Sequence, residues 1–236
     1  MPESTLLGGS WNMLRDRNDD RAAARAIWIM DEFGLDFLCL QEAAEYVAEL
    51  RDATGEEYDV LAVRGGSNAR RESIILARHD LEHGAPWSIR VKNSWWTTVR
   101  GGRAANRHLT AVLLDGWLPV VSGHTPPSVR WRSGDMFGPA RRVLSMRRFA
   151  RRVRRFLDNH PHALVACDWN ADDDARGRYT PHWIARKTGA EVVAPKRGTH
   201  GSRTIDYALV KGARATARRS EEYGSDHRLV LFEVTR

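Results

Sequence analysis

Ser225-Asp226-His227 stands one residue, Arg228, before the apolar run Leu229 to Val234. A polar triplet set against a run of strand length reads as the end of a buried strand. The same arrangement recurs along the chain. Trp11-Asn12 closes a run that begins at Thr5, and Gln41-Glu42 closes Asp36 to Leu40. Gly123-His124 follows Leu118 to Ser122, Asp168-Trp169-Asn170 follows Leu164 to Cys167, and Thr204-Ile205-Asp206-Tyr207 opens a run to Val210. Any one of these is noise. Six in one chain predict one site gathered along one edge of a β-rich core. Asn, Glu, His and Asp side chains assembled there suit a divalent cation beside an acid–base pair, and so suit phosphate-ester hydrolysis.

The chain has 236 residues, 42% of them hydrophobic, enough for one full α/β core, and a single domain over 1–236 is expected. The formal charge is +7 and the isoelectric point about 9.9, which favours an anionic partner. Lys92, Lys187, Lys196 and Lys211 are the only lysines, so the excess is carried by arginine. Cys39 and Cys167 lie inside apolar runs and form neither a disulfide framework nor a zinc pattern. The start, Met1-Pro2-Glu3-Ser4, lacks the features of a signal peptide. No apolar run approaches the ~20 residues of a membrane span. A cytoplasmic, monomeric protein is expected.

Strand-like and helix-like segments alternate. Thr5 to Asn12 reads as a strand. Asp19 or Asp20 caps a helix whose apolar positions are Ala23, Ala26, Ile27, Met30 and Phe33, with Gly34 as its stop. Asp36 to Gln41 is a buried strand, and a helix is expected from Ala43 to Arg51. Tyr58 to Val63 and Ser73 to Ala77 are strands. Asp115-Gly116 is a turn between Leu109 to Leu114 and Leu118 to Ser122. Arg141 to Phe156 reads as a helix with Met146, Phe149, Val153, Phe156 and Leu157 on one face and Arg147, Arg148, Arg151, Arg152, Arg154 and Arg155 on the other. Ala163 to Ala166, Ile205 to Val210 and Leu229 to Val234 complete the strands. Trp28, Trp117 and Trp169 are expected in the core.

In their order, these motifs resemble the endonuclease/exonuclease/phosphatase superfamily of metal-dependent phosphoesterases, the group of the pancreatic-type deoxyribonucleases. The resemblance runs from Trp11-Asn12 to Ser225-Asp226-His227. It implies an α/β (α+β) four-layer sandwich, with two face-to-face, mainly antiparallel or mixed sheets flanked by helices. It implies Glu42 as the chief metal ligand, helped by Asn12 and Asp226, with Mg²⁺ or Mn²⁺ as the ion. Glu42 read alone serves equally as a helix cap. Asp168 and Asn170, two apart, share one side if the strand continues; one handles the attacking water and the other donates to phosphate. An Asx turn is the simpler reading of that pair. The resemblance also implies that His227 pairs with Asp206, and His124 with Glu72, as the acid–base residues. Cys167 stands where the family usually has Gly, which implies altered packing beneath the site.

The substrate is not named by the fold. Arg100, Arg103 and Arg107 among glycines, the arginine-rich helix, and Trp131, Trp95 and Trp96 near loops favour nucleic acid. A DNA endonuclease of low sequence specificity is therefore expected. A lipid or inositol phosphate phosphodiesterase, and a non-catalytic nucleic-acid-binding protein, are the alternatives.

Overall fold

The computed structural model describes residues 4–13, 21–43, 46–63, 73–92, 98–99, 102–103, 107–125, 138–175 and 177–236. In chain order the elements are β1 (Thr5–Asn12), α1 (Ala22–Phe33), β2 (Phe37–Gln41), α2 (Val47–Thr54), β3 (Tyr58–Leu61), β4 (Ser73–Arg78) and β5 (Trp87–Val91). Then follow β6 (Thr98–Val99), β7 (Gly102–Arg103), β8 (Arg107–Leu114), β9 (Leu118–His124), α3 (Gly138–Asn159) and β10 (Ala163–Asp168). The last are α4 (Pro181–Thr188), β11 (Glu191–Val193), β12 (Asp206–Lys211), β13 (Arg214–Glu222) and β14 (Arg228–Thr235). Two six-stranded sheets form, β13-β14-β1-β2-β4-β3 and β11-β12-β10-β9-β8-β5, with β6 and β7 as a separate ribbon.

Each large sheet has a parallel pair at its centre, β1 with β2 and β9 with β10, and antiparallel strands around it. A parallel pair needs a crossover long enough to return the chain. Those crossovers contain α1 and α3. Period-two burial then sorts the strand residues into layers. Phe37 and Cys39 join Leu164 and Ala166 in the core between the sheets. Leu38 and Leu40 face the other way, onto Ala26, Ile29 and Met30 of α1 and Leu50 of α2. Ala163, Val165 and Cys167 pack on Phe149, Val153 and Leu157 of α3 and Ile184 of α4. The result is the expected four-layer α/β/β/α sandwich.

Several local expectations need correction. The second helix begins at Val47, with Tyr46 as its N-cap, rather than at Ala43. Glu42 therefore does not cap it. Asp19 and Asp20 lie outside the described residues, and the N-cap of α1 is Arg21, which makes no side-chain capping bond. Gly34 does end α1, in the left-handed conformation. Asp115 and Gly116 both have positive φ, 50° and 62°, as a tight hairpin turn requires. Trp28 is 45% exposed and packs against Tyr223 at the surface, whereas Trp117 and Trp169 are buried. Sequence periodicity gave no signal for α4, β11 or β13. β13 alternates half-buried and exposed residues at the edge of its sheet, and its outward positions carry Arg and Glu. A charged edge strand resists pairing with another chain and lacks the apolar run that marks a buried one. Among the described residues no helix is long and apolar enough to cross a membrane.

Candidate active site

The two parallel pairs end at the same edge. Asn12 lies beside Gln41 at the end of β1 and β2, and Asp168 lies beside His124 at the end of β10 and β9. Antiparallel neighbours begin there: Asp206 opens β12 opposite Asp168, and His227 directly precedes β14. Chain direction thus delivers residues from both sheets to one place.

Beneath the edge a buried polar network joins the sheets. Gln41 Nε2 donates to Ser10 Oγ at 3.2 Å and Ser122 Oγ at 3.3 Å, and Ser122 Oγ donates to the Leu40 carbonyl at 3.0 Å. Buried polar groups that satisfy one another across a core fix its register. Above it, Asn12 Nδ2 donates to Asp168 Oδ2 at 2.9 Å, and the Asn170 backbone N–H donates to Asp168 Oδ1 at 2.8 Å. Asn170 Nδ2 lies 3.1 Å from His124 Nε2 and donates to the Thr125 carbonyl at 3.3 Å. His124 Nε2 is 3.5 Å from Asp168 Oδ2 and 3.7 Å from Glu42 Oε1.

Asn170 does not continue the strand, so alternation is not what brings it beside Asp168. It sits past the end of β10 with φ of 48°, and the Asx-type bond to Asp168 turns it back onto His124. Glu42 has φ of 54°, a conformation a non-glycine residue adopts at a cost. Two such residues on one edge fit the way strain collects at functional sites.

The second half of the cluster is built on the C-terminal motif. His227 Nδ1 and Asp206 Oδ2 are 2.8 Å apart, the expected pair. Ser225 Oγ donates to the Asn12 carbonyl at 2.7 Å and accepts from the His227 backbone N–H at 3.1 Å, which ties the motif to β1. Asp226 turns away from this tie. Its Oδ2 lies 3.0 Å from His200 Nε2, and its Oδ1 is 3.8 Å from His227 Nε2. His200 closes no apolar run, and its one signal in the sequence is the bracket of Gly198 and Gly201 just before the strand at Ile205. Thr199 Oγ1 accepts from the backbone N–H groups of Ile205 and Asp206 and so sets the start of β12.

The electrostatics couple the two halves. Burial and the neighbouring Asp206 charge raise the Asp168 carboxyl to about 7. Burial alone would lower His227, but the hydrogen bond and charge of Asp206 outweigh it and raise the imidazole to about 9. Asp206 is fully buried, and its Oδ1 has no hydrogen-bond partner among the described residues. An orphaned buried carboxylate oxygen is costly unless a cation faces it. Asp168, Asp206 and His227 offer donor atoms within 4.8 Å of one another, as do His200, Asp226 and His227. With Glu42 beside His124, the donor set fits a divalent ion.

Of the other expected residues, Glu72, Arg100 and Trp131 lie outside the described residues, as do Trp95 and Trp96. The pairing of His124 with Glu72 therefore falls outside them too. Arg103 ends the short strand β7 and Arg107 begins β8. His108 is buried on β8, with Nδ1 2.7 Å from Ser88 Oγ, and burial and Arg90 lower its pKa.

No protein-family model and no curated protein sequence matches the chain. Solved structures do. An endonuclease/exonuclease/phosphatase from Bacteroides vulgatus superposes with a TM-score of 0.67 at 13% identity, covering 98% of each chain. Truncated Caenorhabditis elegans TDP2 gives 0.61 at 17% identity over 98% of each chain. The human Nocturnin catalytic domain, solved with a bound sulfate anion, gives 0.64 at 13% identity over 98% of this chain and 93% of its own. The two stacked sheets, the helices outside them and these superpositions make the fold of this chain that of the endonuclease/exonuclease/phosphatase proteins.

Proposed function

We propose that the protein is a metal-dependent phosphodiesterase that cleaves nucleic acid, acting as a DNA endonuclease of low sequence specificity. The observation that carries this reading is the convergence of Asn12, Glu42, His124, Asp168, Asn170, Asp206 and His227 on one edge of the sandwich. A divalent ion, Mg²⁺ or Mn²⁺, held by Glu42 with the neighbouring carboxylates, would supply positive charge to a non-bridging phosphate oxygen.

The chain's own residues perform the rest. Asp168, held between Asn12 and the Asn170 N–H, takes the proton of the attacking water. His227, kept protonated by Asp206, offers its Nε2 proton to a phosphate oxygen. Asn12 and Asn170 orient Asp168 and donate to the developing charge. His124 delivers a proton to the leaving oxygen. Nucleic acid is favoured over smaller esters by the net charge of +7 and by α3, where Arg151 and Arg155 are exposed on the outer face.

Supercoiled plasmid incubated with Mg²⁺ or Mn²⁺, with an EDTA control and a Glu42→Ala variant, tests the reading. Nicking is expected with metal, abolished by EDTA, and reduced at least about 10²-fold in the folded variant. Absence of nicking under either metal would refute the DNA substrate. Full activity in Glu42→Ala would refute the site.

A further inference from the structure

His200 has no part in the reaction proposed above, yet it is held firmly beside it. Residues 199–203 form a tight turn in which the backbones of His200 and Arg203 pair with each other. Thr199 binds the start of β12 through its hydroxyl and accepts from the Arg228 N–H through its carbonyl, 2.8 Å away. A Cβ on Gly198 would stand 2.5 Å from the Gly201 carbonyl oxygen, so the turn closes only with glycine there. The turn presents the His200 ring 4.7 Å from that of His227, centroid to centroid, with Asp226 reaching both.

Two imidazoles and one carboxylate offer donors within 4.8 Å of one another. Nitrogen-rich sets of this kind favour Zn²⁺ and other borderline ions, whereas Mg²⁺ takes oxygen ligands. His227 is already arranged as a metal ligand: its Nδ1 faces Asp206 Oδ2 at 2.8 Å, which leaves Nε2 on the side of Asp226. A carboxylate behind a ligating histidine is the usual outer support of a zinc site. The His200 and Asp226 side chains are 38% and 48% exposed, so an ion can enter from solvent and keep a water in its fourth position.

We propose that His200, Asp226 and His227 form a second cation site that takes Zn²⁺ or a similar borderline divalent ion, and that filling it inhibits the enzyme. The site itself stands on this geometry; the inhibition rests on the hydrolytic reading above. The ion replaces the proton on His227 Nε2, so the imidazole no longer reaches the phosphate.

The experiment is calorimetric titration of ZnCl₂ into the tag-free full chain at pH 7.5 with Mg²⁺ present, for wild type and His200→Gln, each checked for folding by thermal unfolding. Losing one of three ligands is expected to weaken Zn²⁺ binding by at least about tenfold. In the plasmid assay the Zn²⁺ needed for half-inhibition should rise in parallel. Independently of any variant, Co²⁺ added to wild type should shift the imidazole resonances of His200 and His227. No Zn²⁺ binding, equal affinity in His200→Gln, or shifts confined to His79 and His83, which share Asp59, would overturn the site. Zn²⁺ binding by a protein that nicks plasmid with neither Mg²⁺ nor Mn²⁺, Zn²⁺ being absent, would uphold the site and refute the DNA substrate. Tight binding at His200 that leaves nicking unaffected would refute the inhibition.

Discussion

Replacing Asp206 by Asn isolates the buried pair on which the proposed chemistry depends. In the wild type Asp206 holds His227 at about 9, against the ordinary histidine value of about 6.5. A folded-state pKa above the unfolded one stabilises the protein fully below the unfolded value, and the contribution is lost as pH rises through the folded value. The difference of about 2.5 units corresponds to about 3 kcal/mol in total, of which about 2 kcal/mol disappears between pH 7 and 9.5. Asp168, raised to about 7, works in the same direction but completes most of its change below that window. With Asn at position 206 burial still lowers His227, while the charges of Asp168 and Asp226 still raise it. The imidazole should then titrate below its wild-type value. Denaturant unfolding of wild type in EDTA should show stability falling by about 2 kcal/mol across pH 7 to 9.5, and the slope should shrink in Asp206→Asn. NMR titration of the His227 ring supplies the second reading. A His227 pKa near 6.5 in the wild type, or one unmoved by the substitution, would refute the reasoning.

Three further outcomes follow from the geometry. Glu42→Gly should abolish metal-dependent cleavage while thermal stability is unchanged or raised by up to about 1 kcal/mol, because glycine takes a positive φ without the cost that glutamate bears; a fall of several degrees in Tm would contradict it. Gly123→Ala places a Cβ 2.9 Å from Cys167 Sγ and 3.2 Å from Leu109 Cδ2, and should cost about 1–3 kcal/mol. Adding Cys167→Ala should recover part of that loss, and strict additivity in the double-mutant cycle would show that the two do not touch. The double substitution Arg151→Glu with Arg155→Glu should weaken DNA binding and flatten its salt dependence if α3 borders the substrate, whereas an unchanged salt slope would place the DNA elsewhere.

The layers were legible in the sequence because strand and helix periods differ. Leu38 and Leu40 alternate with Phe37 and Cys39, and this alternation alone assigns them to opposite faces of one sheet. α3 was legible because Phe149, Val153, Phe156 and Leu157 return at helical spacing among arginines. β13 was not, because an edge strand that buries little shows no apolar run. The site was legible for a related reason: at the end of a buried strand, polar residues stop the apolar run abruptly. That signal finds Asn12, His124 and Asp168, but it says nothing of a residue delivered by a turn. His200 reaches the cluster through backbone pairing within residues 199–203 and has no run to interrupt. Nor does strand alternation locate Asn170, whose place depends on a left-handed turn and one bond to Asp168. The direction of Asp226 was hidden likewise. Its neighbours Ser225 and His227 are both tied inward, to Asn12 and Asp206, so the residue between them is left to face His200 and solvent. The same Ser-Asp-His triplet that marks the strand end therefore divides its work: Ser225 anchors, His227 serves the proposed reaction, and Asp226 joins the hard-oxygen site only if His200 releases it. The affinity of His200→Gln for Mg²⁺ or Mn²⁺ reports which of these two holds Asp226.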